Sequence, residues 1–123
     1  MKRFLEARKE VAKVYFPRID RRQLRGYGCI LFFELRAGHA RAARAFTRAL
    51  KLFEAGTSMA CAVSASARPY VGSHLSLTPK EKSDMGIKES LVRLCFGFED
   101  MDDLKDDLRQ AFRALRRPSG KTR

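Results

Sequence analysis

Arg93 is the residue whose surroundings most need a chemical explanation. It lies inside the apolar run "LVRLCFGF", residues 91–98, which predicts a buried strand. A buried guanidinium is costly unless it is paired. Two interpretations are open. Arg93 either pairs with an acid of the fold or reaches water with its head group, or it is held ready for an anionic ligand. The planar guanidinium binds a carboxylate through two parallel hydrogen bonds.

The sequence gives little support for a metal site. His39 and His74 are the only histidines, and no HxxxH or HExxH pair occurs. Glu99, Asp100 and the pair Asp102–Asp103 form an acidic cluster, but they stand where a helix begins, so we expect helix capping rather than a cation site.

Phosphate-loop and thiol chemistry are not indicated either. The sequence contains neither GxGxxG nor GxxxxGK[ST], and Gly26–Gly28 precedes a strand rather than a helix. Cys29, Cys61 and Cys95 include no CxxC pair and lie among apolar residues, so we expect three buried, unreactive thiols.

The composition indicates one globular domain. The chain has 123 residues, 45% of them hydrophobic, and we place the domain at 1–116 with a basic disordered tail at 117–123. Lys and Arg number 26 against 14 acidic residues, and the formal charge of +12 permits nucleic acid as a partner. No apolar run approaches the ~20 residues that span a bilayer and no signal peptide is apparent, so we expect a cytoplasmic protein without a membrane partner.

Hydrophobic periodicity predicts the elements that position Arg93. We expect helices over 3–13, 37–50 and 101–116, and a helical turn that begins at Thr78. Strands are predicted over 14–17, 29–35 and 91–98, and 52–69 is expected to be extended and then strand-like. This order predicts an α+β domain, with a small, mostly antiparallel sheet and helices on one face. The other face would then meet solvent or another domain.

The stretch "GIKESLVRLCFGFEDMDDLKDDLRQAF", residues 86–112, resembles the C-terminal signature of the Cys/Met-metabolism enzymes that use pyridoxal phosphate. This transsulfuration group includes cystathionine γ-synthase, cystathionine β-lyase, cystathionine γ-lyase and methionine γ-lyase. Upstream, "GYGCILFFEL" and "ALKLFEAGTSMACAVSASARPYVGSH" are also similar to family segments. The resemblance covers about residues 3–115.

The resemblance implies the C-terminal domain of a fold-type I enzyme of sulfur amino-acid metabolism. Such enzymes catalyse β- or γ-elimination or replacement on cystathionine, homocysteine or methionine-type substrates, and they are usually homo-oligomers. Arg93 matches the arginine that binds the substrate α-carboxylate, and Ser58 matches a serine near that carboxylate. The Schiff-base lysine belongs to a large domain that no segment here resembles. We therefore expect no catalytic or cofactor-binding residue in this chain and no activity from it alone.

Departures from the family pattern leave an alternative open. Ala60 and Cys61 stand where the family has two glycines, so a backbone that needs positive φ would carry side chains, and Val63 replaces a glutamate. The alternative is a non-catalytic basic binding module, for nucleic acid or a protein partner, or a degenerate fragment. The arginine-rich helix 37–51 and the basic residues 116–123 favour nucleic acid within that alternative.

Overall fold

The computed structural model describes residues 1–116, which form one five-stranded sheet and four helices. The helices are α1 (Lys2–Glu6), α2 (Ala40–Ala49), α3 (Pro79–Asp84) and α4 (Met101–Ala114). The strands are β1 (Val11–Tyr15), β2 (Ile30–Leu35), β3 (Glu54–Ala55), β4 (Ala65–Ala67) and β5 (Leu91–Cys95).

The sheet has the strand order β1-β2-β5-β4-β3. All neighbouring strands are antiparallel except the short parallel pair β3–β4. Between β2 and β5, Phe33 pairs with Val92 and Phe32 pairs with Arg93. On the other side of β5, Arg93 pairs with Ala67 of β4. The predicted α+β class with a mostly antiparallel sheet is therefore confirmed.

One hydrophobic core lies between the sheet and α1, α2 and α4. Side chains alternate between the two faces of a strand. Leu31, Phe33 and Leu35 of β2 consequently share one face with the buried Val92 and Leu94 of β5. Phe33 packs edge-on against Phe46 of α2, whose ring centroid lies 4.7 Å from that of Phe112 of α4. The placement of helices on one face is thus as predicted, and Arg93 belongs to the other face.

Two residues that the sequence indicates as N-terminal helix caps form these caps in the structure. Thr78 caps α3 in a capping box with Glu81, and Pro79 takes the first helical position. Asp100 caps α4 by accepting hydrogen bonds from the backbone N–H groups of Asp102 and Asp103. None of the helices within residues 1–116 is long and apolar enough to cross a membrane.

Three predicted boundaries are wrong. The helix expected over 3–13 ends at Glu6, because Val11–Tyr15 pairs with β2 and strand pairing overrides the helical spacing of its apolar residues. The segment 52–69 contains only the short strands β3 and β4, with an irregular loop between them. The last strand ends at Cys95 rather than at residue 98. The predicted disordered tail, 117–123, lies outside the described residues.

Candidate functional site

Arg93 lies at the centre of the sheet, on the face away from the core helices. Its β5 position is flanked by Phe32 of β2 and Ala67 of β4. Although charged, Arg93 is only 6% exposed. The two flanking strands fix its backbone, so the guanidinium has a defined position rather than the freedom of a surface side chain.

The guanidinium is satisfied only in part. Its Nη2 donates hydrogen bonds to the backbone carbonyls of Gly56, at 3.2 Å, and Ser58, at 3.1 Å. Its Nε is buried and has no hydrogen-bond partner. Arg93 forms no ion pair within residues 1–116, so this part of the fold does not supply the acidic partner that the first interpretation allows. The cation is held by two carbonyl dipoles, and the N–H of its buried Nε stays unused.

Ser58 lies beside Arg93, and its backbone rather than its side chain makes the contact. The carbonyl accepts the bond from Arg93, while the side chain is exposed and its hydroxyl makes no hydrogen bond to a described residue. The hydroxyl is therefore available to a ligand that reaches this loop.

The loop over Arg93 contains an unusual backbone conformation. Ala60 has φ +58°, in the left-handed region that favours glycine. Alanine stands here at a position where the resemblance implies a glycine. Its backbone N–H points to the Sγ of Cys95, at 3.2 Å, which attaches the loop to β5.

A second attachment closes the far end of the loop. The carboxylate of Glu99 accepts hydrogen bonds from the backbone N–H of Ser64, at 2.7 Å, and from its hydroxyl, at 2.8 Å. The Ser64 hydroxyl accepts from the N–H of Gly97, where a Cβ atom would lie 2.1 Å from the carbonyl oxygen of Ala62. Burial alone raises the pKa of Glu99, but the bonds from Ser64 outweigh it and lower the pKa below its ordinary value. The sequence predicts helix capping for Glu99, whereas its carboxylate holds Ser64 instead.

The three cysteines differ from one another. Cys95 is buried and Cys29 half-buried, with 3.8 Å between their Sγ atoms. Burial and the contact with Cys95 raise the pKa of the Cys29 thiol, and a raised pKa disfavours the reactive thiolate form. Cys61 is exposed, so its predicted burial is wrong. It lies in the loop after β3, where no neighbouring strand covers it.

A buried carboxylate shares the face of Arg93 but is already paired. Glu34 of β2 binds the ammonium of Lys88 at 2.8 Å and accepts a hydrogen bond from the Tyr15 hydroxyl. Burial alone raises the pKa of Glu34, yet these two contacts bring it below its ordinary value. The same contact raises the pKa of Tyr15 to about 12. This cluster is satisfied, in contrast to Arg93.

The remaining candidates have structural partners. His39 caps α2 by accepting a hydrogen bond from Ala42, and His74 is hydrogen-bonded to the Ser73 hydroxyl. Within residues 1–116, no group of three or more His, Cys, Asp or Glu side chains could hold a metal ion. Arg93 is therefore the centre of the candidate site.

Comparison with known proteins agrees with this fold and identifies a family. The family described as Cys/Met metabolism PLP-dependent enzyme matches residues 1–113. The chain is 37% identical to an L-methionine gamma-lyase of Pseudomonas putida over 90% of its own length, and 34% identical to a cystathionine gamma-lyase of Dictyostelium discoideum over 88%. It spans 30% of the length of each of these relatives.

A solved structure is similar in fold as well as in sequence. A cystathionine gamma synthase from Xanthomonas oryzae pv. oryzae, in complex with cystathionine, matches with a TM-score of 0.84 and 32% identity. The match covers 93% of this chain and 31% of that one. Because the family match extends over nearly all the described residues, the chain belongs to the Cys/Met metabolism PLP-dependent enzyme family.

Proposed function

We propose that this chain forms the substrate-carboxylate side of a pyridoxal-phosphate enzyme site that acts on sulfur amino acids. Arg93 binds the α-carboxylate of the substrate, and Ser58 lies beside it. The observation that carries this proposal is the buried Arg93 guanidinium, which has no ion pair within residues 1–116 and an unused Nε. A carboxylate supplies the negative charge and the two acceptor oxygens that this group lacks.

Binding requires a rearrangement at the loop. The guanidinium is covered by the segment that contains Gly56 and Ser58, whose carbonyls already occupy Nη2. A carboxylate that engages both Nε and Nη2 replaces at least one of these contacts. The exchange is favourable because a carboxylate brings a full negative charge and two acceptor oxygens to the guanidinium, whereas each carbonyl brings only a dipole.

The described residues do not fit the covalent attachment of the cofactor. The buried lysine within residues 1–116 is Lys82, whose ammonium lies 4.3 Å from the ring centroid of Tyr70. Lys88 is held by Glu34, and the other lysines in this range are exposed or half-buried. We therefore assign cofactor binding and the chemical steps to a partner domain that supplies them. In this proposal the chain contributes substrate orientation to an assembled homo-oligomer in the cytoplasm.

The reaction class follows from the relatives. Those matched include methionine and cystathionine gamma-lyases, an O-succinylhomoserine sulfhydrylase and a cystathionine beta-lyase. All of these substrate types are amino acids with an α-carboxylate, so the proposed role of Arg93 is the same in each. The proposal is a β- or γ-elimination or replacement on a cystathionine, homocysteine or methionine-type substrate.

The test combines this chain with the cofactor-binding part of a related enzyme. We expect the two parts to associate and to cleave cystathionine or methionine. Arg93→Ala should raise KM by about 30-fold to about 4,000-fold, because losing one partner of a buried charge pair costs about 2–5 kcal/mol. Arg22→Ala, which removes the same charge from an exposed loop, is the control and should leave KM unchanged. Proven association without activity would refute the proposed function, and an unchanged KM for Arg93→Ala would refute the role of Arg93.

A further inference from the structure

A groove at the β3–β4 end of the sheet is not used by the proposed function. It has a volume of about 370 Å³ and lies between α2, the two short strands and the turn at residues 71–72. Ser66 lines it and pairs with Leu94 of the core face, whereas Arg93 belongs to the opposite face. The polar side chains that line the groove are Arg44, Thr47, Arg48, Thr57, Ser66 and Arg68.

Three cations border this groove without counter-charges. Arg44 and Arg48 are four residues apart on α2, so their side chains are neighbours on one side of the helix. Arg68 follows β4 on the other wall. None of the three forms an ion pair within residues 1–116. Like charges at this helical spacing destabilise a helix, and a bound anion would remove that repulsion.

A buried hydroxyl points to the same conclusion. Ser66 is only 2% exposed, and its Oγ has no hydrogen-bond partner. A buried polar atom without a partner is unusual in a folded protein, and a ligand that accepts a hydrogen bond from Ser66 would satisfy it. The orphan hydroxyl and the three guanidinium groups line the same groove.

We propose that this groove binds a small organic molecule that carries a phosphate group. A phosphate monoester has a charge between −1.5 and −2 and three strong acceptor oxygens, so it matches three arginines and one hydroxyl better than a carboxylate does. Ala55, Ala67 and Val71 add apolar lining for the organic part. The volume lies within the range of about 300–1,000 Å³ that is typical of small-molecule sites.

Binding is tested by NMR titration of the 123-residue chain with inorganic phosphate and with phenyl phosphate. Acetate is the carboxylate comparison. We expect saturable, one-to-one shifts of the amide resonances of Thr57, Ser66 and Gly72, with phenyl phosphate binding more tightly than phosphate and acetate binding weakly. A short single-stranded RNA is titrated in parallel, because a basic helix also attracts polyanions.

Matched variants separate this site from general charge attraction. Arg68→Gln should weaken phosphate binding about tenfold or more, because a hydrogen bond to a charged group contributes about 1.5–3 kcal/mol. Arg22→Gln, with the same loss of charge on an exposed loop, should bind as the unaltered chain does. Ser66→Ala should also bind less tightly while its stability to urea is unchanged or higher, because its hydroxyl has no partner in the free protein.

Three results would overturn the proposal. They are shifts that do not saturate, an equal loss of binding in Arg22→Gln, and tight RNA binding that displaces phosphate and spreads over the whole basic surface. Because the readout is binding to this chain, failure here leaves the proposed role of Arg93 unaffected. Loss of activity in the assembled enzyme would likewise say nothing about this groove.

Discussion

At the scale of single residues, Ala60 carries a backbone strain that the sequence allows us to predict. A non-glycine residue in the left-handed region is destabilised by roughly 1–2 kcal/mol. Ala60→Gly should therefore stabilise the chain by up to about 1 kcal/mol, after the greater flexibility of glycine in the unfolded chain is subtracted. Ala62→Gly, two residues along the same exposed loop but without positive φ, should destabilise it by about 0.4–1 kcal/mol. Urea unfolding measures the free energy of unfolding of both variants. If the two substitutions changed this free energy in the same direction, the explanation would be contradicted.

Glu34 gives a prediction about pH. Its pKa is lowered in the folded chain by Lys88 and Tyr15, so its contribution to stability is present above the unfolded pKa of about 4.3. It is lost as the pH falls through the lower folded value. Glu34→Gln should thus destabilise the protein by about 1–2 kcal/mol at pH 7, and the difference should vanish in acid.

The control for Glu34→Gln is the same substitution at an exposed glutamate. Glu6→Gln removes an exposed carboxylate, 3.6 Å from Lys2, and should change stability by less than about 0.5 kcal/mol at any pH. Urea unfolding at a series of pH values provides the comparison. A Glu34→Gln difference that persists undiminished in acid would show that the carboxylate charge is not the cause.

At the scale of elements, α4 holds the segment that leads into β3. Asp107 is buried, and its carboxylate accepts hydrogen bonds from the backbone N–H groups of Lys51, at 2.9 Å, and Leu52, at 2.8 Å. Through this contact the helix sets where β3 begins, and therefore where the loop over Arg93 begins. Neither Lys51 nor Leu52 has a sequence feature that indicates such a contact.

Because of this contact, we expect Asp107 to contribute more to the stability of the chain than its neighbour Asp106 does. Asp107→Asn replaces a charged acceptor with a neutral amide and should destabilise the chain by about 1–3 kcal/mol. Asp106→Asn alters an exposed residue that pairs with Arg109, and its effect should stay below about 1 kcal/mol. The midpoints of urea unfolding decide the matter. Similar midpoints for the two variants would mean that α4 does not anchor this segment.

At the scale of the whole molecule, the sequence predicts what depends on side-chain pattern. The apolar periodicity of α2 and α4 and the composition of β2 and β5 identify the core and place Arg93 on a buried strand. The prediction of a helix over 3–13 is wrong because the apolar residues of β1 have helical spacing although the segment pairs with β2. The loop contacts are missed because Gly56 and Ser58 act through carbonyl oxygens, which every residue has. Glu99 is misassigned because its partner, Ser64, is distant in sequence.

The central strand pair also has a kinetic consequence. The sheet forms only when β2 and β5 meet, and their neighbouring cysteines are 66 positions apart. Pairing of such distant segments is slow, since the entropy of loop closure opposes it before any contact compensates. Arg93 stays hydrated until β5 docks and the loop after β3 covers it. We therefore expect desolvation of this cation to be a late step of folding, so that partly folded chains do not yet contain the site.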